Sequence, residues 1–215
     1  MDIVNEKVER YMAGLLESRG DAVLEEMEAE GEARGFPIVG RTVGATLEIL
    51  ARTVGAHRVL EMGSGFGYSA YWFARAVGPA GEVHLTDGDP ENEPKARDYL
   101  GRAGLADRCT FHVGNALDII GELPGEFDVI FCDIDKTGYP DAWKRASERI
   151  RVGGLYLCDN VLWSGRVVDD YDEDDPRPDW TEAVREQNRA LAADERYLSV
   201  IVPTRDGVMV ALRIA

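Results

Sequence analysis

Basic side chains are in short supply. Lysines and arginines number 24 against 40 aspartates and glutamates, a formal charge of −16. A surface of that sign repels phosphate polyanions, which argues against nucleic acid and anionic membrane as partners and is compatible with a small neutral or cationic ligand, or simply with a soluble surface. Cysteine is scarcer still. The three present, Cys109, Cys132 and Cys158, are odd in number and lack C-x-x-C spacing, so neither a disulfide framework nor a cysteine zinc site is expected. Each lies in an apolar run and reads as a buried free thiol, the form kept in the reducing cytoplasm. Long hydrophobic runs are missing: nothing approaches the roughly 18 apolar residues of a membrane span, and the opening MDIVNEKVERYM carries no apolar signal region. The three histidines, His57, His84 and His112, have no ligand spacing and read as structural.

What is present is globular: 45% hydrophobic and 30% charged residues in a chain of 215, enough for one domain spanning residues 1–215 with a sizeable core. Ile3, Val4, Val8, Tyr11, Met12, Leu15 and Leu16 recur at helical spacing, Asp21 is placed to cap a second helix through Glu32, and a third runs from Arg41 to Val54. Residues 1–34 thus form a helical N-terminal extension, joined on through Gly35, Phe36 and Pro37.

Beyond it the chain alternates. Arg58–Met62, Glu82–Thr86, Cys109–Val113, Phe127–Cys132 and Gly154–Cys158 are short apolar runs of strand type, separated by helical stretches over 67–77, 90–103, 115–121 and 140–150. That alternation predicts βαβ units and a parallel sheet covered on both faces. Asp89 and Pro90 look like an N-cap and first helical residue. After a helix over 180–193, Tyr197–Val202 and Val208–Ile214 flank the turn Thr204-Arg205-Asp206-Gly207, a hairpin signal. The expected fold is α/β: a doubly wound, mostly parallel seven-stranded sheet ending in an antiparallel hairpin. The acidic run from Asp169 to Asp175 reads as a solvated loop.

Chemistry concentrates where strands end. Val59-Leu60-Glu61-Met62-Gly63-Ser64-Gly65-Phe66-Gly67-Tyr68-Ser69 is a strand, a glycine-rich turn and a helix start; glycines admit close approach of a ligand to backbone. A dinucleotide fingerprint would need glycine at 68, which is Tyr. Asp87, 20 residues past Gly67, ends the second strand where a carboxylate can accept from ribose hydroxyls; the plain alternative is a turn cap. Asp133 ends the fourth strand and Asp159-Asn160 the fifth. Two carboxylates and an amide carbonyl on neighbouring strand ends are hard oxygen donors and suit Mg²⁺.

Together these blocks resemble the cation-dependent O-methyltransferases that use S-adenosylmethionine, the group containing catechol and caffeoyl-CoA O-methyltransferases. The resemblance runs from about Gly35 to the C-terminus and is carried by Val39-Gly40, the glycine-loop block, Asp87-Gly88-Asp89-Pro90, Asp133-Ile134-Asp135-Lys136 and Asp159-Asn160-Val161-Leu162-Trp163-Ser164-Gly165. It implies that Asp133, Asp159 and Asn160 bind the metal, that Lys136 is the general base with Asp133 beside it, and that Glu61, Gly63, Ser69, Asp87 and Asp133 hold the cofactor, with Val39 and Ala116 as packing contacts. It implies an aromatic diol as substrate, with Trp163 near the ring, and a homodimer. Two rivals are a nicotinamide-dependent oxidoreductase, against which Tyr68 speaks, and a catalytically silent relative, against which the intact Asp133, Lys136, Asp159 and Asn160 speak.

Overall fold

Among the described residues the apolar runs become seven strands: β1 (Arg58–Met62), β2 (Glu82–Asp87), β3 (Cys109–Val113), β4 (Phe127–Cys132), β5 (Ile150–Cys158), β6 (Tyr197–Val202) and β7 (Val208–Arg213). This computed structural model describes residues 5–16, 21–168 and 175–215; Ile3, Val4 and most of the acidic run fall outside them. The strands form one sheet in the order β3-β2-β1-β4-β5-β7-β6. The first five are parallel, and β7 enters antiparallel between β5 and β6. The order reverses between β1 and β4, and in such sheets ligands bind in the crevice beyond the strand C-termini at that switch.

Helices cover both faces: α1 (Glu6–Gly14), α2 (Ala22–Arg34), α3 (Gly40–Thr53), α4 (Tyr68–Val77), α5 (Asn92–Arg102), α6 (Ala116–Glu122), α7 (Tyr139–Ala146) and α8 (Pro178–Ala192). Neighbouring strand residues point to opposite faces. Val59, Leu85, Phe131 and Leu157 pack with Val43, Leu47 and Phe73 on one side. Leu60, Ile130 and Tyr156 pack with Ile120, Trp143 and Val184 on the other. Burial on both faces is why the strands read as unbroken apolar runs.

Several expectations need adjustment. Helix α5 starts at Asn92, not Pro90, because the Asp89 carboxylate accepts the Glu91 N–H at 2.9 Å and caps a turn instead. Strand β5 starts at Ile150 rather than Gly154: Phe127 pairs with Ile150, and the register then shifts before Val129 meets Leu155. Gly153 and Gly154 hid that first half. Cys109 is only partly buried, on an outer strand, while Cys132 and Cys158 are buried; all three are free. His84 and His112 stack on adjacent strands with ring centroids 5.3 Å apart and Nδ1 and Nε2 3.1 Å apart. Burial lowers the pKa of both, which suits a structural pair. Helix α1 forms, but Val8 and Tyr11 on it and Leu15 at its C-cap stay exposed (48%, 68% and 61%). No helix among the described residues is long and apolar enough to cross a membrane.

Candidate active site

From Met62 the chain leaves β1 into the glycine loop, and the loop's geometry explains its composition. Gly63 has φ +84°, and a Cβ on it would stand 2.3 Å from the Asp133 carbonyl oxygen. The loops after β1 and β4 therefore touch, and the Asp133 N–H donates to Met62 O at 2.8 Å. At Gly65 a Cβ would meet the Phe36 ring at 2.8 Å. The loop is pinned from the β2 side as well: the Gly63 and Ser64 N–H groups donate to Thr86 O at 3.1 and 2.8 Å.

Asp87 caps the turn after β2, the plain alternative, and also holds the glycine loop. One carboxylate oxygen accepts the Gly65 N–H at 2.9 Å; the other accepts from Asp89 N at 2.9 Å and Asn92 Nδ2 at 3.1 Å. It is thus a turn cap and a clamp on the glycine loop. With three of about four acceptor sites taken, it has room for one further hydroxyl unless the Asn92 amide yields.

Glu61 is fully buried beside the loop, and neither carboxylate oxygen has a hydrogen-bond partner. Burial pushes its pKa up to about 7, against the pull of the Ser69 and Ser64 hydroxyls, which lean toward it without closing a hydrogen bond. A carboxylate isolated in this way costs several kcal/mol if ionised alone, so the site is built for an incoming cation or donor.

Asp133 and Asn160 meet at Lys136, with Asp159 on the neighbouring strand end. Cys132 pairs with Cys158 across the parallel β4–β5 ladder, so Asp133 and Asp159 leave the sheet side by side. Lys136 is buried, and its Nζ donates to Tyr139 Oη at 2.6 Å, Asn160 Oδ1 at 2.8 Å and Asp133 Oδ1 at 3.2 Å. The Tyr139 hydroxyl donates in turn to Asp159 O at 2.8 Å. Asp159 is buried with Oδ1 unpartnered, and burial, with the charge of Asp133 second, raises its carboxyl pKa to about 7. Two carboxylates against one ammonium leave a net negative cluster. Among the described residues no three His, Cys, Asp or Glu side chains form a metal cluster; the set here is two aspartates and an amide, all hard oxygen donors, and a divalent cation fits it.

Val39, Gly63, Ser69, Asp87, Ala116, Asp133, Lys136, Asp159, Asn160 and Trp163 line one cavity of about 950 Å³; Glu61 does not line it, though Ser64 and Ser69, which lean toward its carboxylate, do. Reading the sequence missed Phe36, Asp135, Trp180 and Arg205, which line it too. Trp180, from the first turn of α8, sits 5.5 Å from the Trp163 ring, and the two indoles make an aromatic flank. No local pattern marks Trp180 or Arg205, since both arrive from distant segments. Tyr68, where a dinucleotide fold needs glycine, is buried with its hydroxyl on Glu28 at 2.7 Å.

Known proteins similar to this chain point to one family. Residues 17–214 match the family model described as O-methyltransferase. The chain is 35% identical over 171 residues to a catechol O-methyltransferase of Niastella koreensis, covering 77% of each chain. It is 35% identical over 181 residues to caffeoyl-CoA O-methyltransferase 1 of Eucalyptus globulus, covering 80% of this chain and 73% of that one. Among solved structures, the O-methyltransferase TomG of Streptomyces achromogenes with S-adenosylmethionine superimposes with TM-score 0.86 at 30% identity, over 97% of this chain and 96% of that one. A Bacillus cereus O-methyltransferase with S-adenosylhomocysteine superimposes with TM-score 0.85 at 29% identity, over 96% and 97%.

Proposed function

Since the chain belongs to the S-adenosylmethionine-dependent O-methyltransferase family, we propose that it methylates one hydroxyl of a vicinal diphenol with the help of a divalent cation such as Mg²⁺. One observation carries this reading. Asp133 belongs to both halves of the site: its carbonyl packs against Gly63, and its carboxylate shares Lys136 with Asn160 beside the unpartnered Asp159 carboxylate. A methyl donor on the glycine loop and an acceptor oxygen at the acid cluster are then neighbours.

The cation, when bound, supplies Lewis acidity to the two hydroxyls, and S-adenosylmethionine supplies an electrophilic methyl group. The chain's residues do the rest. Asp133, Asp159 and Asn160 hold the cation. A phenol has a pKa near 10 and is about one part in a thousand ionised at neutral pH, so the acceptor proton must be removed; Lys136 takes it at Nζ once its ammonium has given a proton to solvent, with Tyr139 keeping that nitrogen aimed. Such transfer contributes roughly 10²–10⁴-fold, and alignment of donor and acceptor about 7–11 kcal/mol in favourable cases. Asp87 accepts from the ribose, Glu61 and Ser69 face the donor's polar end, and Val39 and Ala116 pack on it. Trp163 flanks the acceptor ring. A panel of diphenols and monophenols incubated with labelled cofactor and Mg²⁺ tests the acceptor class: diphenols take up label, and equal labelling of monophenols contradicts the reading.

Glu61 gives a pH signature. Its carboxyl stays protonated up to about 7 in the ligand-free protein, and a cationic cofactor favours the ionised form. Cofactor affinity should therefore rise as pH increases through about 7, with proton release below it. In the free protein the sign reverses, because a raised folded pKa means stability is lost as pH rises through that value. Calorimetric affinity between pH 5.5 and 8.5 checks this, and Glu61→Gln should flatten the profile.

We further propose a single catalytic unit, cytoplasmic as its free thiols suit, that acts as a homodimer. Exposed Val8 and Tyr11 on α1, Leu15 at its C-cap, and Leu198 and Val200 on β6 supply apolar surface for a second copy to cover.

A further inference from the structure

Left-handed backbone is confined to one rim of the cavity, glycines aside. Among the described residues the non-glycines with positive φ are Asn160 (54°), Trp163 (48°), Ser164 (54°) and Arg205 (51°). Three lie in the loop after β5 and the fourth in the turn between β6 and β7, but the two segments are zipped together. Val161 N–H donates to Gly207 O at 3.1 Å and Leu162 N–H to Asp206 O at 2.9 Å. Ser164 N–H donates to the Asp206 carboxylate, and a Cβ on Gly207 would stand 2.5 Å from Leu162 Cγ. Strain of this kind gathers where a ligand must be held. Asn160 belongs to the cation cluster and tolerates the conformation. Arg205 is different: the turn needs a left-handed residue, glycine would adopt it without strain, and a long cation stands there.

The guanidinium has donors to spare. Its Nη1 donates to Ile38 O at 2.7 Å, and its Nε is ion-paired with the Glu9 carboxylate at 3.9 Å, too long for a hydrogen bond. Among the described residues that leaves most of a planar five-donor fork for a ligand. Among the described residues Lys136 and Arg205 are the two cations in the cavity lining, and Lys136 is already bound to Asp133 and Asn160. Sheet order sets the direction. The cofactor contacts proposed above lie mainly on the tips of β1 to β3 and the cation donors on β4 and β5, while Arg205 stands further along, where β6 turns into β7. An acceptor with its diol at the cation and its ring by Trp163 shares its cavity with Arg205, whose guanidinium reaches from the β6–β7 turn to Ile38 O.

We infer that Arg205 is a specificity residue that receives a carboxylate carried by the acceptor, so the substrates are vicinal diphenols with an anionic substituent remote from the diol. This rests on the O-methyltransferase reading above. The test compares kcat/KM for 3,4-dihydroxybenzoate and the neutral 3,4-dihydroxybenzyl alcohol at saturating cofactor and Mg²⁺. Wild type should favour the acid by about 10–100-fold, the range of a charge-assisted fork. Arg205→Gln should bring the ratio close to one through the KM of the acid, and Arg205→Lys should keep part of it. Arg205→Gly, which relieves the backbone, should lose the selectivity too, so a distorted turn in the Gln variant does not spoil the test. Absence of acid preference in wild type, or equal losses for both acceptors in Arg205→Gln, overturns the inference and leaves a latch on Ile38. A rise in the cofactor's KM with acid and alcohol affected alike overturns it as well, assigning the guanidinium to the cofactor's carboxylate. Methylation of neither compound removes the diphenol reading itself, which the alcohol arm separates from failure of the Arg205 inference alone.

Discussion

Asp159→Ala is expected to lower cation-dependent methyl transfer by about a thousandfold while leaving cofactor affinity within about twofold. The size follows from what is removed. Lewis-acid assistance amounts to several kcal/mol, and about 4 kcal/mol corresponds to a factor of a thousand. Asp159 brings the cluster's one buried carboxylate oxygen without a partner, and its raised pKa reflects burial beside Asp133 without enough positive charge. Asp159→Asn keeps the shape and removes the charge, so it should share most of the loss. Asp87→Ala should do the reverse: cofactor binding weakens about 10–100-fold, from lost hydrogen bonds to hydroxyls and from release of the Gly65 N–H it now accepts, while turnover at saturating cofactor is largely kept. Calorimetry with S-adenosylhomocysteine and steady-state kinetics on the two variants read this crossing. Parallel losses of both quantities in both variants would show one undivided site.

Lys136→Met is expected to lower kcat about 10²–10⁴-fold with an opposite effect on the cation. The ammonium now hydrogen-bonds Asp133 and Asn160, so removing it leaves two carboxylates with no fixed counter-charge. Cation affinity should then hold or increase. In EDTA the variant's melting temperature should fall below that of wild type, because a buried carboxylate cluster has lost its partner, and Mg²⁺ should restore it. Thermal melts with and without Mg²⁺, beside kcat, separate this from simple misfolding. A variant that loses cation binding along with turnover would make Lys136 a structural clamp rather than the base.

The acid cluster was legible because a parallel sheet makes it so. Strands buried on both faces read as apolar runs, their ends mark one rim, and Asp133 and Asp159-Asn160 stand at two such ends. Asp87 was legible for the same reason, though its hold on the Gly65 N–H was not, since that bond depends on how the glycine loop folds back over β2. Trp180 and Arg205 could not be read locally. Arg205 reaches the cavity only because Gly207 and Asp206 zip onto Val161 and Leu162, and Trp180 because α8 brings it against Trp163. Helix α1 shows the opposite limit: its spacing identified a helix, but spacing does not say what covers the apolar face, and within this chain Val8, Tyr11 and Leu15 remain exposed. The first half of β5 was hidden by Gly153 and Gly154, whose pairing is set by the neighbouring strand rather than by their own preference.

The most direct measurement is transfer of labelled methyl from S-adenosylmethionine to a simple catechol by chelator-stripped protein, first in EDTA and then with excess Mg²⁺ restored. If Asp133, Asp159 and Asn160 share one divalent ion beside the methyl donor, transfer stops in EDTA and returns with Mg²⁺. Undiminished methylation in EDTA would contradict that arrangement.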